Sequence, residues 1–231
     1  TQITSRSLHV HAARNICHFT GQNLWFYAIT VAPLAQVFAL EFTSPLWVTV
    51  LAPFFLGERL TRMRALAAIL GFAGILIVAR PGTATMLNPG LIAAAIAAIG
   101  FAGSAIFTRL LTRTETTTCI LFYLTLMQAV FGLICAGADG DLAWPSAQAW
   151  PWLALVGCAG LLAHFCLTTA LSFAPATVVM PMDFARLPII AMVGMALYGE
   201  PLEWVVGIGA IVIFGANYLN IRTEARLHAQ R

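Results

Sequence analysis

Three ionisable side chains stand in stretches of sequence otherwise too apolar to hold a charge without a reason. Glu41 lies in the apolar segment 33–56, and Asp183 and Arg186 lie in the segment 176–198. A charge at the centre of a bilayer costs at least ~2.5–3.5 kcal/mol, so each needs a partner, an aqueous cavity or a role. Asp183 and Arg186 are three positions apart and can share one helical face. They could therefore do no more than neutralise each other. The chemical alternative is a site at mid-membrane depth, in which Arg186 binds an anionic or carbonyl group and a carboxylate takes up and releases a proton. Glu41 has no basic neighbour in sequence, so nothing nearby competes for its carboxylate. That makes it the better candidate for carrying the proton.

A second polar patch, His18, Gln22, Asn23 and Trp25 with Phe26 and Tyr27, falls inside the apolar segment 10–30, where His18 and Gln22 are four apart on one face. It reads either as interhelical hydrogen bonding and aromatic packing, or as a cavity wall that stacks on a planar solute. Pro45 and Pro188 lie within the two carboxylate-bearing segments, where a proline frees a carbonyl one turn back and permits a bend suited to gating. His164, Asn217 and Asn220 read as packing groups, and Gln128 is open. No Gly-x-Gly-Asp, Gly-x-Ser-Gly, His-Glu-x-x-His or phosphate-binding loop occurs, so no catalytic residue, resident metal or cofactor is expected. The five cysteines have no Cys-x-x-Cys spacing and read as buried small hydrophobes.

The elements that must position these residues follow from composition. The chain has 231 residues, 60% hydrophobic and 9% charged, far more apolar than a soluble domain. Apolar runs near the ~20 residues needed to cross a bilayer recur. They lie at about 10–30, 33–56, 64–80, 90–110, 117–137, 151–173, 176–198 and 202–221. The alternation of a transmembrane barrel is absent. The expected fold is all-α, a polytopic transmembrane bundle of eight helices.

All twelve basic residues are arginines, placed mainly in loops on this reading, and they report topology rather than nucleic-acid binding. One side of the membrane collects Arg6, Arg14, Arg59, Arg62, Arg64, Arg109, Arg113, Arg222, Arg226 and Arg231, whereas the other has Arg80 alone. The positive-inside rule puts the first set, and with it both termini, in the cytoplasm. The acidic, tryptophan-bearing loop 138–150 should then face the periplasm.

The chain also repeats itself. Pro33 to Glu58 aligns without a gap on Pro175 to Glu200, pairing Val37 with Val179, Phe42 with Phe184, Gly57 with Gly199 and Glu58 with Glu200. Glu41 and Asp183 fall at equivalent positions, so the repeat should bring the two carboxylates near one another. The first Gly-Glu sits in a basic loop and the second in a loop without a basic residue, which reads as a repeat of inverted orientation, a common construction for alternating access. The pattern from Pro33 to Pro45, the Gly57-Glu58-Arg59-Leu60 turn and the string from Gly71 to Pro81 resemble the EamA branch of the drug/metabolite transporter superfamily.

That resemblance implies two inverted five-helix repeats, here an incomplete first repeat of three helices at 1–80, a second of five at 90–222, and a cytoplasmic tail at 223–231. It implies that the chain begins at the third helix, as a fragment or a mis-assigned start would. It also implies a central cavity to which the helices at 10–30, 33–56, 151–173 and 176–198 contribute. The expected protein is a proton-coupled secondary transporter of the bacterial inner membrane. Its partners would be a small-molecule solute and the lipid bilayer, with a homodimer left open. Met180-Pro-Met-Asp-Phe-Ala-Arg-Leu-Pro188 is similar to carriers of riboflavin or S-adenosylmethionine within the family. An aromatic amino-acid or drug exporter is the alternative substrate reading. An intramembrane enzyme, a channel or a passive scaffold are the readings of another class.

Overall fold

Each apolar run folds into helix, because only a helix satisfies every backbone donor and acceptor within its own segment where no water is present. The computed structural model describes residues 2–32, 34–79, 88–138, 140, 144–198 and 204–229. Its helices are α1 (Leu8–Val31), α2 (Leu34–Glu41), α3 (Ser44–Leu56), α4 (Arg62–Ala79), α5 (Pro89–Leu111), α6 (Thr117–Gly137) and α7 (Trp150–Phe173). After these come the single turn α8 (Ala176–Val179), a 3-10 stretch at Met180–Ala185, α9 (Arg186–Tyr198) and α10 (Trp204–Ala229). Among the described residues there is no strand. The stretches Gln36–Leu56, Pro89–Leu111, Thr117–Gly137 and Trp150–Phe173 are long and apolar enough to span a bilayer.

The eight expected segments are present, but two of them are not continuous. Segment 33–56 breaks at Phe42–Thr43 between α2 and α3, and segment 176–198 changes to 3-10 geometry around Phe184. Phe42 and Phe184 are the paired positions of the internal repeat, so both copies interrupt their helix at the same place. The prolines explain the interruption. Pro45 occupies the first turn of α3 and Pro188 the first turn of α9. Pro45 tolerates that place because an N–H there would have no partner within α3, whereas α9 follows the 3-10 stretch without a gap, so Pro188 removes a donor from a continuous helical path. Thr43 helps close the first break by donating its hydroxyl to the Leu40 carbonyl at 2.6 Å.

The ends are capped by local chemistry. Asn88 accepts from the Gly90 amide to start α5, and the Thr116 hydroxyl accepts from the Cys119 amide to start α6. Gly57, at φ +66°, closes α3 in the left-handed conformation that glycine adopts without penalty. Beside it, the Glu58 carboxylate accepts from the backbone amides of Ala176 (2.9 Å) and Thr177 (3.2 Å) and approaches Arg109 Nε at 3.5 Å. Arg113 donates to the Leu56 carbonyl at 2.6 Å. The end of α3 is thereby tied to the start of α8 and the end of α5.

Small residues set the helix spacing. α1 lies against α5, where a Cβ on Gly100 would stand 2.8 Å from the Cys17 carbonyl oxygen. α4 lies against α10, where a Cβ on Gly74 would meet Ile213 at 2.6 Å. Phe42, Ile75, Phe184 and Ile213 form one fully buried cluster, and Val48, Ala52, Ala102, Ile106 and Leu171 belong to another. α6 and α7 contribute little to either, being 17% and 6% buried over their apolar windows.

Two expectations change. The arginines are not mainly in loops: Arg14 lies in α1, Arg62 and Arg64 in α4, Arg109 in α5, Arg186 in α9 and Arg222 and Arg226 in α10. A guanidinium on a long apolar stem can sit in a helix and still reach carbonyls at its end. The cysteines are not uniformly buried either, since Cys119 alone is buried while Cys135, Cys158 and Cys166 are exposed. Cys135 and Cys158 stand on helices with exposed apolar faces, where an outward thiol loses nothing, and Cys166 lines a cavity. Residues 223–229, read as a tail, continue α10. Pro33, Arg80, Gly199, Glu200, Leu202 and Arg231, together with residues 139 and 141–143 of the acidic loop, lie outside the described residues.

Candidate functional site

The two helix breaks face one another, and the charged residues gather where they meet. Arg186 Nη2 donates to Glu41 Oε1 at 2.5 Å and lies 3.6 Å from Asp183 Oδ2. The second oxygen of Glu41 accepts from the Trp25 indole N–H at 2.7 Å. Glu41 therefore has a basic partner after all, 145 positions away in sequence. Both its oxygens are engaged, whereas Asp183 is exposed and accepts no hydrogen bond from a described residue. The cluster holds two carboxylates against one guanidinium.

Aromatic rings hold this cluster in place. The Arg186 guanidinium stands 4.9 Å from the centre of the Phe42 ring. Phe42 in turn contacts Phe38 and Phe184, with ring centres 6.2 and 6.3 Å apart, and Trp25 contacts Phe38 at 5.9 Å. Phe184 packs so closely on Gly71 that a Cβ there would lie 2.3 Å from its ring. The breaks at Phe42 and Phe184 thus turn both rings inward, beneath the ion cluster.

Above it opens a cavity of about 540 Å³, within the range of small-molecule sites. Glu41, Asp183 and Arg186 lie at one part of its wall, with Ser44, whose buried hydroxyl has no partner among the described residues. The middle is lined by His18, Phe101 and His164. His18 and His164 meet edge to face with ring centres 4.7 Å apart, and neither hydrogen-bonds to a described residue. Arg14, Ser104 and Thr108 add polar groups to the wall, and the rest of it is mainly apolar, from Leu167, Val179, Met180 and Met182 among others. Arg14 is 1% exposed and donates to the Thr108 hydroxyl at 2.6 Å.

Of the residues singled out from sequence, Glu41, Asp183, Arg186 and His18 line the cavity, and Trp25 reaches it through Glu41. Gln22 is half-buried and outside the lining, and Asn23 is exposed, with its amide donating to the Phe19 carbonyl at 2.8 Å. Pro45 and Pro188 are buried beside the breaks. Gln128 bridges α6 to α1, donating to Asn15 at 3.1 and 3.2 Å. His164, read as a packing group, lines the cavity, and Arg14, counted with the charges outside the membrane, is buried within the bundle. The i,i+4 spacing of Arg14 and His18 was the available signal for Arg14. Among the described residues no group of three or more His, Cys, Asp or Glu side chains could hold a metal ion.

A fold of broken helices around a mainly apolar cavity that carries a few charged and aromatic groups suits a membrane carrier, and the relatives of the chain agree. The profile of the EamA-like transporter family matches residues 10–80 and 88–222. The chain belongs to the EamA-like transporter family. A riboflavin transporter of Brucella anthropi is 31% identical over 220 residues, covering 94% of this chain and 77% of the relative. An S-adenosylmethionine uptake transporter of Rickettsia felis is 30% identical over 230 residues, covering 99% and 76%. A pseudopaline exporter of Pseudomonas aeruginosa is 25% identical over 200 residues, covering 87% and 70%. A solved crystal structure shares the fold at a TM-score of 0.80 with 20% identity, covering 94% of this chain and 77% of the other. This EamA-like protein is a multi-pass membrane transporter of small molecules and not an enzyme.

Proposed function

We propose that this transporter carries a heteroaromatic or zwitterionic metabolite, of the kind represented by riboflavin and S-adenosylmethionine, into the bacterial cell together with protons. It lies in the inner membrane with both termini in the cytoplasm. Two inverted repeats, 1–80 and 90–222, rock about the cavity. Lipid covers the apolar outer faces of α6 and α7, which a homodimer would share. The observation that carries the reading is the Arg186 guanidinium held between Glu41 and Asp183 on the cavity wall. Two carboxylates on one cation leave the site one negative charge, which a proton removes. Asp183 is the more exposed carboxylate, paired with Arg186 only at 3.6 Å and accepting no hydrogen bond from a described residue, so it takes the proton, and the change passes to Glu41 through their shared arginine. Pro45 and Pro188, beside the two breaks, are the bending points.

The test is uptake into proteoliposomes of labelled riboflavin, S-adenosylmethionine and an aromatic amino acid, with and without an imposed proton gradient. Wild type, Asp183→Asn and Glu41→Gln are compared. Saturable, gradient-driven uptake is expected, together with loss of the gradient response but not of solute counterflow in Asp183→Asn. Uptake indifferent to the gradient, or equal in all three proteins, would refute proton coupling at this site. The exporter relative favours a second reading, outward transport. Right-side-out and inverted vesicles distinguish it by the sign of the gradient that accelerates flux.

A further inference from the structure

The far end of the cavity holds a cation that the ion cluster does not account for. Arg14 is 1% exposed, and among the described residues no carboxylate lies within ion-pair distance of it. Its Nε donates to Thr108 and its Nη1 reaches the Asn15 side chain at a long 3.4 Å, but Nη2 has no partner among the described residues. An arginine stays protonated in any protein setting. A buried, unpaired guanidinium is costly unless something supplies the missing anion. No described protein group does, yet Arg14 lines the cavity beside His18 and His164, two imidazoles also without a hydrogen-bond partner.

We infer that this end of the cavity is an anion subsite, in which Arg14, flanked by His18 and His164, receives the carboxylate of a zwitterionic solute. The inference rests on the transport reading above and narrows its substrate class. The two ends of the cavity are electrically opposite: Glu41, Asp183 and Arg186 leave one net negative charge, and Arg14 leaves one positive. Trp25, which touches Glu41, lies eleven positions after Arg14 on α1, so the ends are ~16 Å apart along the helix before side chains reach inward. A long solute with an acidic end and a basic end satisfies both. The Ser104 hydroxyl would help hold the acidic end, while Thr108, which already donates to the Ser104 carbonyl, keeps Arg14 in place, and Phe101 and the imidazoles stack on a ring between the two ends. Arg186, with two carboxylates on it, is the poorer anion receptor, in contrast to the role its sequence suggests.

The probes are S-adenosylmethionine, which carries the carboxylate, its decarboxylated analogue, and riboflavin, which has no ionised group near neutral pH. In proteoliposomes, wild type is expected to prefer S-adenosylmethionine over the decarboxylated analogue by about 10- to 100-fold in apparent affinity, as for loss of a charge-assisted bond. Arg14→Gln should abolish that preference while riboflavin or the decarboxylated analogue still moves. If Arg14→Gln is not recovered folded, Arg14→Lys carries the test. It keeps the charge but loses the fork, and the preference should fall by about tenfold. A wild type that transports these probes without regard to the carboxylate, or variants with the wild-type preference, overturn the anion subsite and leave the transport reading intact. No saturable flux of any probe by wild type overturns both.

Discussion

Around Arg186 a single guanidinium organises groups from three helices, and its geometry makes the contribution of each separable. The Trp25 indole fixes the Glu41 oxygen that Arg186 does not use. Trp25→Phe would keep a ring against Phe38 but remove this donor. A hydrogen bond to a charged group contributes about 1.5–3 kcal/mol. The expected outcome is a lower melting temperature and a higher KM for uptake, with the maximal rate less affected, measured by thermal unfolding in detergent and by initial-rate uptake. A second residue-scale prediction concerns the N-terminus. The Thr4 hydroxyl donates to Glu115 at 2.6 Å, and this bond, chief among several, holds the Glu115 carboxyl below its ordinary value. A carboxyl depressed in the folded state stabilises above its unfolded value near 4.3, and that contribution is lost as pH falls through the folded one. Protection of the backbone amides at residues 2–7, taken relative to the intrinsic exchange rate at each pH, should therefore fall as the pH drops below about 4. Thr4→Val should raise exchange at neutral pH and flatten the acid step; an unchanged step would mean that Glu115 does not dock this segment.

The helices are positioned by small residues and by interruptions, and the two kinds of glycine contact predict different costs. At Gly100 the nearest atom to an added Cβ is the Cys17 backbone oxygen, which cannot move without separating α1 from α5. At Gly71 it is the ring of Phe184, a side chain on a helix already broken. Gly100→Ala should therefore lower stability by about 3 kcal/mol or more and widen the cavity, while Gly71→Ala should cost about 1–2 kcal/mol and shift Phe184 beneath Arg186. Thermal unfolding measures the first difference. Gly71→Ala should in addition change KM, because Phe184 and Phe42 support the ion cluster. The interruptions themselves were half legible. Pro45 and Pro188 signal a bend, but a proline in the first turn of a helix and one in its middle are the same letter. Which of the two occurs is decided by whether a buried partner, here Phe42 against Phe184, repays the hydrogen bonds lost at the break.

As a whole the molecule exposes apolar side chains around a core that is itself mainly apolar with a few buried polar groups, and this apolar exterior makes its surface testable. Leu133, Ile134, Val156 and Leu162 on α6 and α7 are 62–69% exposed. Leu162→Arg, at mid-length on α7, should raise the cost of membrane insertion by about 2.5–3.5 kcal/mol, read by a glycosylation-reporter insertion assay. An inward substitution such as Ser104→Ala should leave insertion unchanged. The sequence by itself determined the helix number, the membrane class and the family, and it singled out Glu41, Asp183, Arg186 and His18, which the fold places on one cavity wall. Hydropathy and periodicity are summed over a segment and survive any packing. Only the tertiary structure decided which side chains meet. It gave Glu41 its partner in Arg186, left Asp183 the more exposed member of the cluster, moved Gln22 and Asn23 off the cavity wall, and buried Arg14 without a counter-ion among the described residues. Those outcomes depend on helix rotation and on contacts more than a hundred residues apart, where half a turn about the axis exchanges an outward-facing residue for a cavity-lining one.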